Sequence, residues 1–151
     1  MVHGKDKSMT LDRKLRMGMV GGGRDSFIGA VHHKGATMDG DVEIVAGALS
    51  STPEKAKLSA QDLHIPRDRA YDSWQEMLEK ECALPGEERI DFVSVVTPNH
   101  LHYPIAKAFV EEGFNVVLDK PMVHTSEQAA SLIGAVQNAG NVFAVTYNYT
   151  G

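Results

Sequence analysis

Short aliphatic runs that alternate with longer segments of helical period constrain the fold of this 151-residue chain more than any other feature. In such a pattern each run is a strand buried on both faces, and each longer segment is a helix that crosses back over the sheet. The pattern predicts an α/β fold, a doubly wound parallel sheet of about six strands with helices on both faces. The runs are Leu15 to Val20, Val42 to Ala48, Arg69 to Tyr71, Phe92 to Val96, Asn115 to Leu118 and Val142 to Thr146.

Local signals mark several helix ends. Capping boxes are predicted at Ser73 and Thr125, because each is followed three residues later by Glu or Gln. Gly113 and Gly140 directly follow helical segments and are predicted to end them, because a helix commonly ends at a residue in the left-handed conformation.

Composition argues against several classes of protein. A net charge of -5 disfavours a nucleic-acid partner, and no apolar run approaches the roughly 20 residues of a membrane span. Residues 1–14 form a polar tail without the apolar segment of a secretion signal, and the lone Cys82 suits a reducing compartment, so a cytoplasmic location is expected. Seven histidines without cysteines or carboxylates at ligand spacing predict no metal site.

A glycine-rich segment follows the first run, with three consecutive glycines from Gly21 to Gly23. Between a strand and a helix, such a segment lets the backbone approach a pyrophosphate, which N–H groups at the helix start stabilise. Ser26 stands where the third glycine of G-x-G-x-x-G belongs and the next glycine is Gly29, so the loop is three residues longer than usual. The segment is predicted to bind a dinucleotide; the alternative is a tight turn without a ligand.

The end of the second run lacks an acidic residue. NAD-binding units of this kind usually place Asp or Glu there for the ribose hydroxyls, whereas the 2'-phosphate of NADP needs donors. Ser50 and Ser51, followed by Lys55 and Lys57, favour NADP slightly over NAD. Serines before a helix are also ordinary capping residues, so either cofactor is compatible with the sequence.

Two further segments follow the fourth and fifth runs. Thr97 and Asn99 are predicted to face the cofactor crevice and to contact ribose or nicotinamide, since they lie beyond the carboxyl end of a strand. The alternative is a turn that starts a helix, with His100 and His102 exposed to solvent. Lys120 ends the fifth run and can place an ammonium near a nicotinamide and a substrate hydroxyl; the alternative is a surface lysine.

The ordered motifs together resemble the Gfo/Idh/MocA oxidoreductase family, over nearly everything from Leu15 onward. They are Gly29-x-x-His32, Thr97-Pro98-Asn99-His100-x-His102, Asp119-Lys120-Pro121 and Tyr147-Asn148-Tyr149. The family has Glu-Lys-Pro at the fifth strand, so Asp119 is a conservative departure, and the longer glycine loop is a second one.

The resemblance implies a Rossmann-type dinucleotide-binding domain over residues 15–151. It implies that Lys120 is catalytic and contacts the nicotinamide ribose and the substrate, and that the Lys120–Pro121 bond is cis. The residues expected to contact NAD or NADP are Gly21, Gly23, Ser26, Phe27, Ile28, Ser50, Ser51, Thr97, Pro98, Asn99, His102, Asp119, Lys120, Pro121 and Asn148.

Family members continue into a second domain that binds substrate and commonly forms the oligomer interface, and no such domain is expected in this chain. The resemblance implies hydride transfer to or from a sugar, inositol or related polyol in the complete, homo-oligomeric enzyme. The alternatives are a non-catalytic NAD(P)-binding regulatory module and a Rossmann methyltransferase.

Overall fold

The computed structural model describes residues 12–147 and contains one parallel sheet. Its strand order is β2-β1-β3-β4-β5, and every neighbouring pair is parallel. The strands are β1 (Leu15–Gly21), β2 (Val42–Ala48), β3 (Phe92–Val96), β4 (Asn115–Asp119) and β5 (Phe143–Thr146). The α-helices are α1 (Phe27–Thr37), α2 (Pro53–Asp62), α3 (Trp74–Ala83), α4 (His102–Glu111) and α5 (Ser126–Ala139), with short 3-10 helices at Arg67–Arg69 and Asn99–Leu101.

Helices cover both faces of the sheet, as the sequence predicts. Met17 and Met19 of β1 pack in a cluster with residues of α1 and α2, whereas Val93 and Val95 of β3 pack in a second cluster with α3, α4 and α5. The alternation follows from the period of two along a strand. No helix among residues 12–147 has the length and apolar character needed to cross a bilayer.

The sixth run expected at Arg69 to Tyr71 does not form a strand, which corrects that part of the prediction. The chain makes a short 3-10 helix at Arg67–Arg69, and Ala70 forms a single bridge to Gly47 at the edge of β2. The Tyr71 N–H donates to the Gly47 carbonyl at 2.9 Å, and the Tyr71 side chain packs in the core, where it is 5% exposed. The segment that leads into α3 therefore passes beside the carboxyl end of β2.

The predicted helix ends are confirmed. Ser73 and Thr125 each accept a hydrogen bond from the N–H three residues ahead, at 3.1 and 3.2 Å. Gly113 and Gly140 take φ values of 86° and 71°, a left-handed conformation that side chains disfavour. These sharp ends let β4 and β5 begin within a few residues of the preceding helices.

Candidate cofactor site

A crevice of about 760 Å³ opens at the carboxyl ends of β1, β2 and β3. The central strand β1 pairs with β2 on one side and β3 on the other, so the crevice lies where the strand order reverses. Open α/β sheets bind their ligands at this position. The predicted cofactor residues that line it are Gly21, Gly23, Ser26, Ser50, Ser51, Thr97 and Pro98.

The longer glycine loop closes by a contact between two glycines. A Cβ at Gly29 would lie 2.2 Å from the carbonyl oxygen of Gly22, so only glycine allows this approach of α1 to the loop. Gly29 therefore takes the packing role of the third glycine in the standard pattern. Ser26 stands at that position in the sequence, but it caps α1 instead, since its hydroxyl accepts the Gly29 N–H at 3.0 Å.

The middle of the loop is held by α2 and by the end of β2. The Gly23 N–H donates to the Leu49 carbonyl at 3.1 Å, and the Arg24 N–H donates to the Ser59 hydroxyl at 2.9 Å. Because these amides already donate within the protein, the first-turn amides of α1 are the better placed to receive a pyrophosphate. Phe27 and Ile28 are the first two residues of α1, and the N–H groups of a first helical turn have no carbonyl partner within the helix.

Two ion pairs also join the loop to α2. Arg24 makes two hydrogen bonds to Asp62, at 2.5 and 2.8 Å, which hold the pKa of Asp62 below its usual range. Lys55 lies 3.2 Å from Asp25, whose side chain is 88% exposed. An exposed pair of that kind is weak in water, so Lys55 can exchange this partner for another anion in the crevice.

The Thr97 hydroxyl is the feature of the crevice that most favours a polar ligand. Its oxygen is buried and, uniquely among the buried side-chain oxygens and nitrogens of residues 12–147, makes no hydrogen bond. An unsatisfied buried hydroxyl is costly, and such groups are rare in folded proteins. The ribose hydroxyls and phosphates of a dinucleotide are groups of the kind that would supply the missing partner.

Lys120 lies on a second cavity, of about 470 Å³, which runs between α1 and the face of β3, β4 and β5. The Lys120–Pro121 bond is cis, as the resemblance implies. Phe27, Ile28 and Asp119 line the same cavity, whereas Ser26, directly before Phe27, lines the crevice. The cofactor residues predicted as one set are thus divided between two cavities.

Asp119 belongs to a hydrogen-bond network that joins α1 to three strands. Its Oδ1 accepts from the Thr146 hydroxyl at 3.0 Å and lies 3.4 Å from Nε2 of His32. The other ring nitrogen of His32, Nδ1, lies 2.8 Å from the Ser94 hydroxyl. The carboxylate before Lys120 is therefore fixed from α1, β3 and β5.

Four predicted contact residues lie elsewhere. Asn99 and Pro121 are exposed and line neither cavity. His102 is fully buried, so its direct contact with the cofactor is not supported, and it is also not the solvent-exposed residue of the alternative interpretation. Asn148 lies outside the described residues. No group of three potential metal ligands forms in the part of the chain that the structure describes.

Two crevice residues have no signal in the sequence. Asp72 and Trp74 line the crevice from the start of α3. Their place depends on the bridge between Ala70 and Gly47, which holds this segment against the end of β2. A capping box predicts where α3 begins, but it takes tertiary contacts such as this bridge to bring that helix start to the crevice.

Comparison with known proteins identifies the fold and the family. The model of an oxidoreductase family with an NAD-binding Rossmann fold, named GFO_IDH_MocA, matches residues 15–147. The chain belongs to the Gfo/Idh/MocA oxidoreductase family. This membership contradicts the methyltransferase alternative.

Individual relatives agree with the family assignment. The uncharacterized oxidoreductase YfiI of Bacillus subtilis is 34% identical and is matched over 93% of this chain and 36% of its own length. The inositol dehydrogenase homolog of Azotobacter vinelandii complexed with NAD+ superposes with a TM-score of 0.88 at 35% identity, over 93% of this chain and 36% of that one. An oxidoreductase from Sinorhizobium meliloti gives a TM-score of 0.84 at 45% identity, over 91% and 38% of the two chains. This chain thus spans little more than a third of these relatives.

Proposed function

We propose that this chain binds NAD(P) for an oxidoreductase that transfers hydride between nicotinamide and a sugar, inositol or related polyol. The observation that carries the proposal is the buried, unpartnered Thr97 hydroxyl in a crevice at the strand-order reversal. The substrate class is supported by relatives, among them the Azotobacter vinelandii structure described as complexed with NADH and myo-inositol, which is 35% identical.

The residues divide the work between holding the cofactor and assisting the reaction. When bound, the nicotinamide ring accepts or delivers hydride at its C4 atom. The first-turn amides of α1 bind the pyrophosphate, and the Thr97 hydroxyl binds the nicotinamide half of the cofactor. In the oxidation, the substrate hydroxyl gives its proton to a catalytic group of the second domain and its carbon gives up hydride, and the Lys120 ammonium stabilises the alkoxide-like charge on the oxygen. In the reduction, the same ammonium stabilises the negative charge that develops on the carbonyl oxygen as hydride adds to its carbon. The contacts of Asp119 with His32 and Thr146 fix the position of the end of β4, from which Lys120 follows.

Thr97→Val tests cofactor binding without disturbing the free protein. Valine has nearly the same shape and removes a hydroxyl that makes no hydrogen bond within the protein, so the melting temperature should not fall. One hydrogen bond to the cofactor is lost, and the Kd for NADH should rise about 3- to 10-fold in a fluorescence titration.

Thr37→Val is the matched control, because the Thr37 hydroxyl donates to the His33 carbonyl at the end of α1 and lines neither cavity. It should leave the Kd unchanged. An unaltered Kd in the Thr97→Val variant would show that the hydroxyl has no ligand in this crevice.

For the choice between the two cofactors, we propose that the chain binds NADP at least as tightly as NAD. Ser50, Ser51, Lys55 and Arg24 line the adenosine end of the crevice, and the carboxylate there is Asp72, which comes from the start of α3. The Ser50 hydroxyl accepts the Thr52 N–H at 3.1 Å and retains its own hydrogen for a phosphate oxygen. A wild-type Kd for NAD tenfold below that for NADP, about 1.4 kcal/mol, would contradict the preference.

Lys55→Gln tests which cation receives the 2'-phosphate. Removing a charge-assisted hydrogen bond should raise the Kd for NADP about tenfold and leave the Kd for NAD nearly unchanged. Lys57→Gln, with the same charge change on the same helix but outside the crevice, is the control. Equal effects of the two substitutions would mean that only the overall charge of α2 matters.

The remaining proposals concern the complete protein. By resemblance, a second domain binds the polyol, supplies a further catalytic group and forms the interface of a homo-oligomer. A cytoplasmic location and the lack of a nucleic-acid partner are proposed from the composition.

A further inference from the structure

His102, the first residue of α4, is buried completely and contacts two backbone carbonyls. Its Nδ1 lies 2.8 Å from the Pro121 carbonyl oxygen, and its Nε2 lies 2.9 Å from the Thr97 carbonyl oxygen. Carbonyl oxygens only accept hydrogen bonds, so a ring nitrogen that carries a hydrogen donates to the carbonyl it faces: one nitrogen in either neutral tautomer, both in the imidazolium. The ring therefore bridges the chain after β3 and the chain after β4.

Both segments carry groups that face the cavities. Thr97 has the buried, unpartnered hydroxyl in the crevice, and Pro121 directly follows Lys120. Each carbonyl lies within one residue of the group that the proposed function uses. Moving either carbonyl by a fraction of an ångström moves that group with it, since the backbone has few soft dihedrals over so short a distance.

We propose that His102 is a positioning residue that fixes Thr97 and Lys120 relative to each other for the nicotinamide half of the cofactor. This inference rests on the proposed function. The ring binds neither cofactor nor substrate; it holds two strand ends that lie beyond the β3–β4 ladder, whose register pairs end at Val95 and Leu118.

A purely space-filling role explains the contacts less well. Filling the core at this position needs only an apolar side chain of similar volume, and burial of a polar ring without a hydrogen bond is unfavourable. The polar ring is accounted for by the two carbonyl oxygens that its nitrogens face, and these carbonyls belong to the two segments that reach the site.

The experiment follows the backbone amides of the 151-residue chain by NMR during titration with NADH. His102→Leu removes both ring nitrogens and keeps an apolar side chain. His102→Asn places a donor near the position of Nδ1, toward Pro121, and His102→Gln places one near the position of Nε2, toward Thr97. Phe109→Leu, a buried change on the same helix outside both cavities, is the control for general loosening.

In the wild type, NADH should shift the amides of the glycine loop, of Thr97 and of Lys120. In His102→Leu the loop should still respond and the Kd should change less than about threefold, because the pyrophosphate contacts remain, whereas the responses of Thr97 and Lys120 are lost. His102→Asn should restore the response of Lys120, and His102→Gln that of Thr97. Phe109→Leu should keep all three responses.

Several results would overturn the inference. One is an unchanged response of Thr97 and Lys120 in a folded His102→Leu variant, and another is the same loss in Phe109→Leu. If His102→Leu does not fold, identical responses of the Asn and Gln variants decide against the proposal. A wild-type chain in which no amide of the glycine loop responds would instead refute cofactor binding itself, and the positioning role with it.

Discussion

Lys120→Met should lower kcat by about 10²- to 10³-fold, the effect of removing one preorganised charge at a developing oxyanion. Methionine keeps much of the apolar stem and removes the ammonium, so packing against the cavity between α1 and the sheet changes little. The substrate oxygen carries alkoxide-like charge only during the reaction, when its proton has left or when hydride adds to the carbonyl carbon, and the loss should therefore fall on turnover more than on binding. The Kd for NADH should change less than about threefold.

Turnover has to be measured in an enzyme that contains a substrate domain. One suitable form joins residues 15–147 to the remaining part of a family member with measurable dehydrogenase activity, while the Kd is measured on the 151-residue chain. Lys80→Met, an exposed lysine on α3 that lines neither cavity, controls for the change in net charge. Wild-type kcat in the Lys120→Met enzyme would make Lys120 a surface lysine and remove the catalytic assignment.

The sheet and most helix ends could be predicted from the sequence because their causes are local. A short aliphatic run such as Asn115 to Leu118 favours a buried strand in most surroundings. The left-handed turns at Gly113 and Gly140 favour glycine for a reason that is equally local. The run at Arg69 to Tyr71 is shorter and less aliphatic, and it forms one bridge. Its outcome depends on contacts with residues distant in sequence, which no local pattern encodes.

The site was predictable in its chemistry but not in its contacts. The residue types of the glycine loop, Thr97 and Lys120 indicate a cofactor site in the sequence. In the structure all three lie at the carboxyl edge of the sheet. The role of Gly29 is visible only when its approach to Gly22 is measured. The sequence motif identifies His102, but it does not indicate whether the side chain faces a ligand or the backbone carbonyls that it contacts in the structure.

The second large effect is expected in the core, at Glu81 of α3. This carboxylate is fully buried and accepts hydrogen bonds from the Arg69 guanidinium at 2.6 Å, from the Tyr71 hydroxyl at 2.8 Å and from the Ile90 N–H at 3.0 Å. Burial, followed by the hydrogen bond to Glu81, raises the pKa of Tyr71 well above its usual range, so the phenol stays a donor. One side chain thus ties the segment before α3 to the start of β3.

Glu81→Leu should destabilise the fold by about 3–5 kcal/mol, because it removes the partner of a largely buried guanidinium and leaves three donors without their acceptor. Urea denaturation followed by circular dichroism measures the loss. The double variant Arg69→Met, Glu81→Leu should recover part of it, since no unpaired charge is then buried, but not all, since the Tyr71 hydroxyl and the Ile90 N–H still lack their acceptor.

Glu111→Gln is the matched control, because Glu111 pairs with Lys107 on the exposed side of α4, where solvent screens the interaction. It should leave the denaturation midpoint unchanged. The destabilised Glu81→Leu variant should also bind NADH more weakly when still folded, because Asp72 and Trp74 line the crevice from the segment that Glu81 anchors. If Glu81→Leu cost no more than Glu111→Gln, the buried network would contribute nothing to the fold, and the place of Trp74 in the crevice would need another cause.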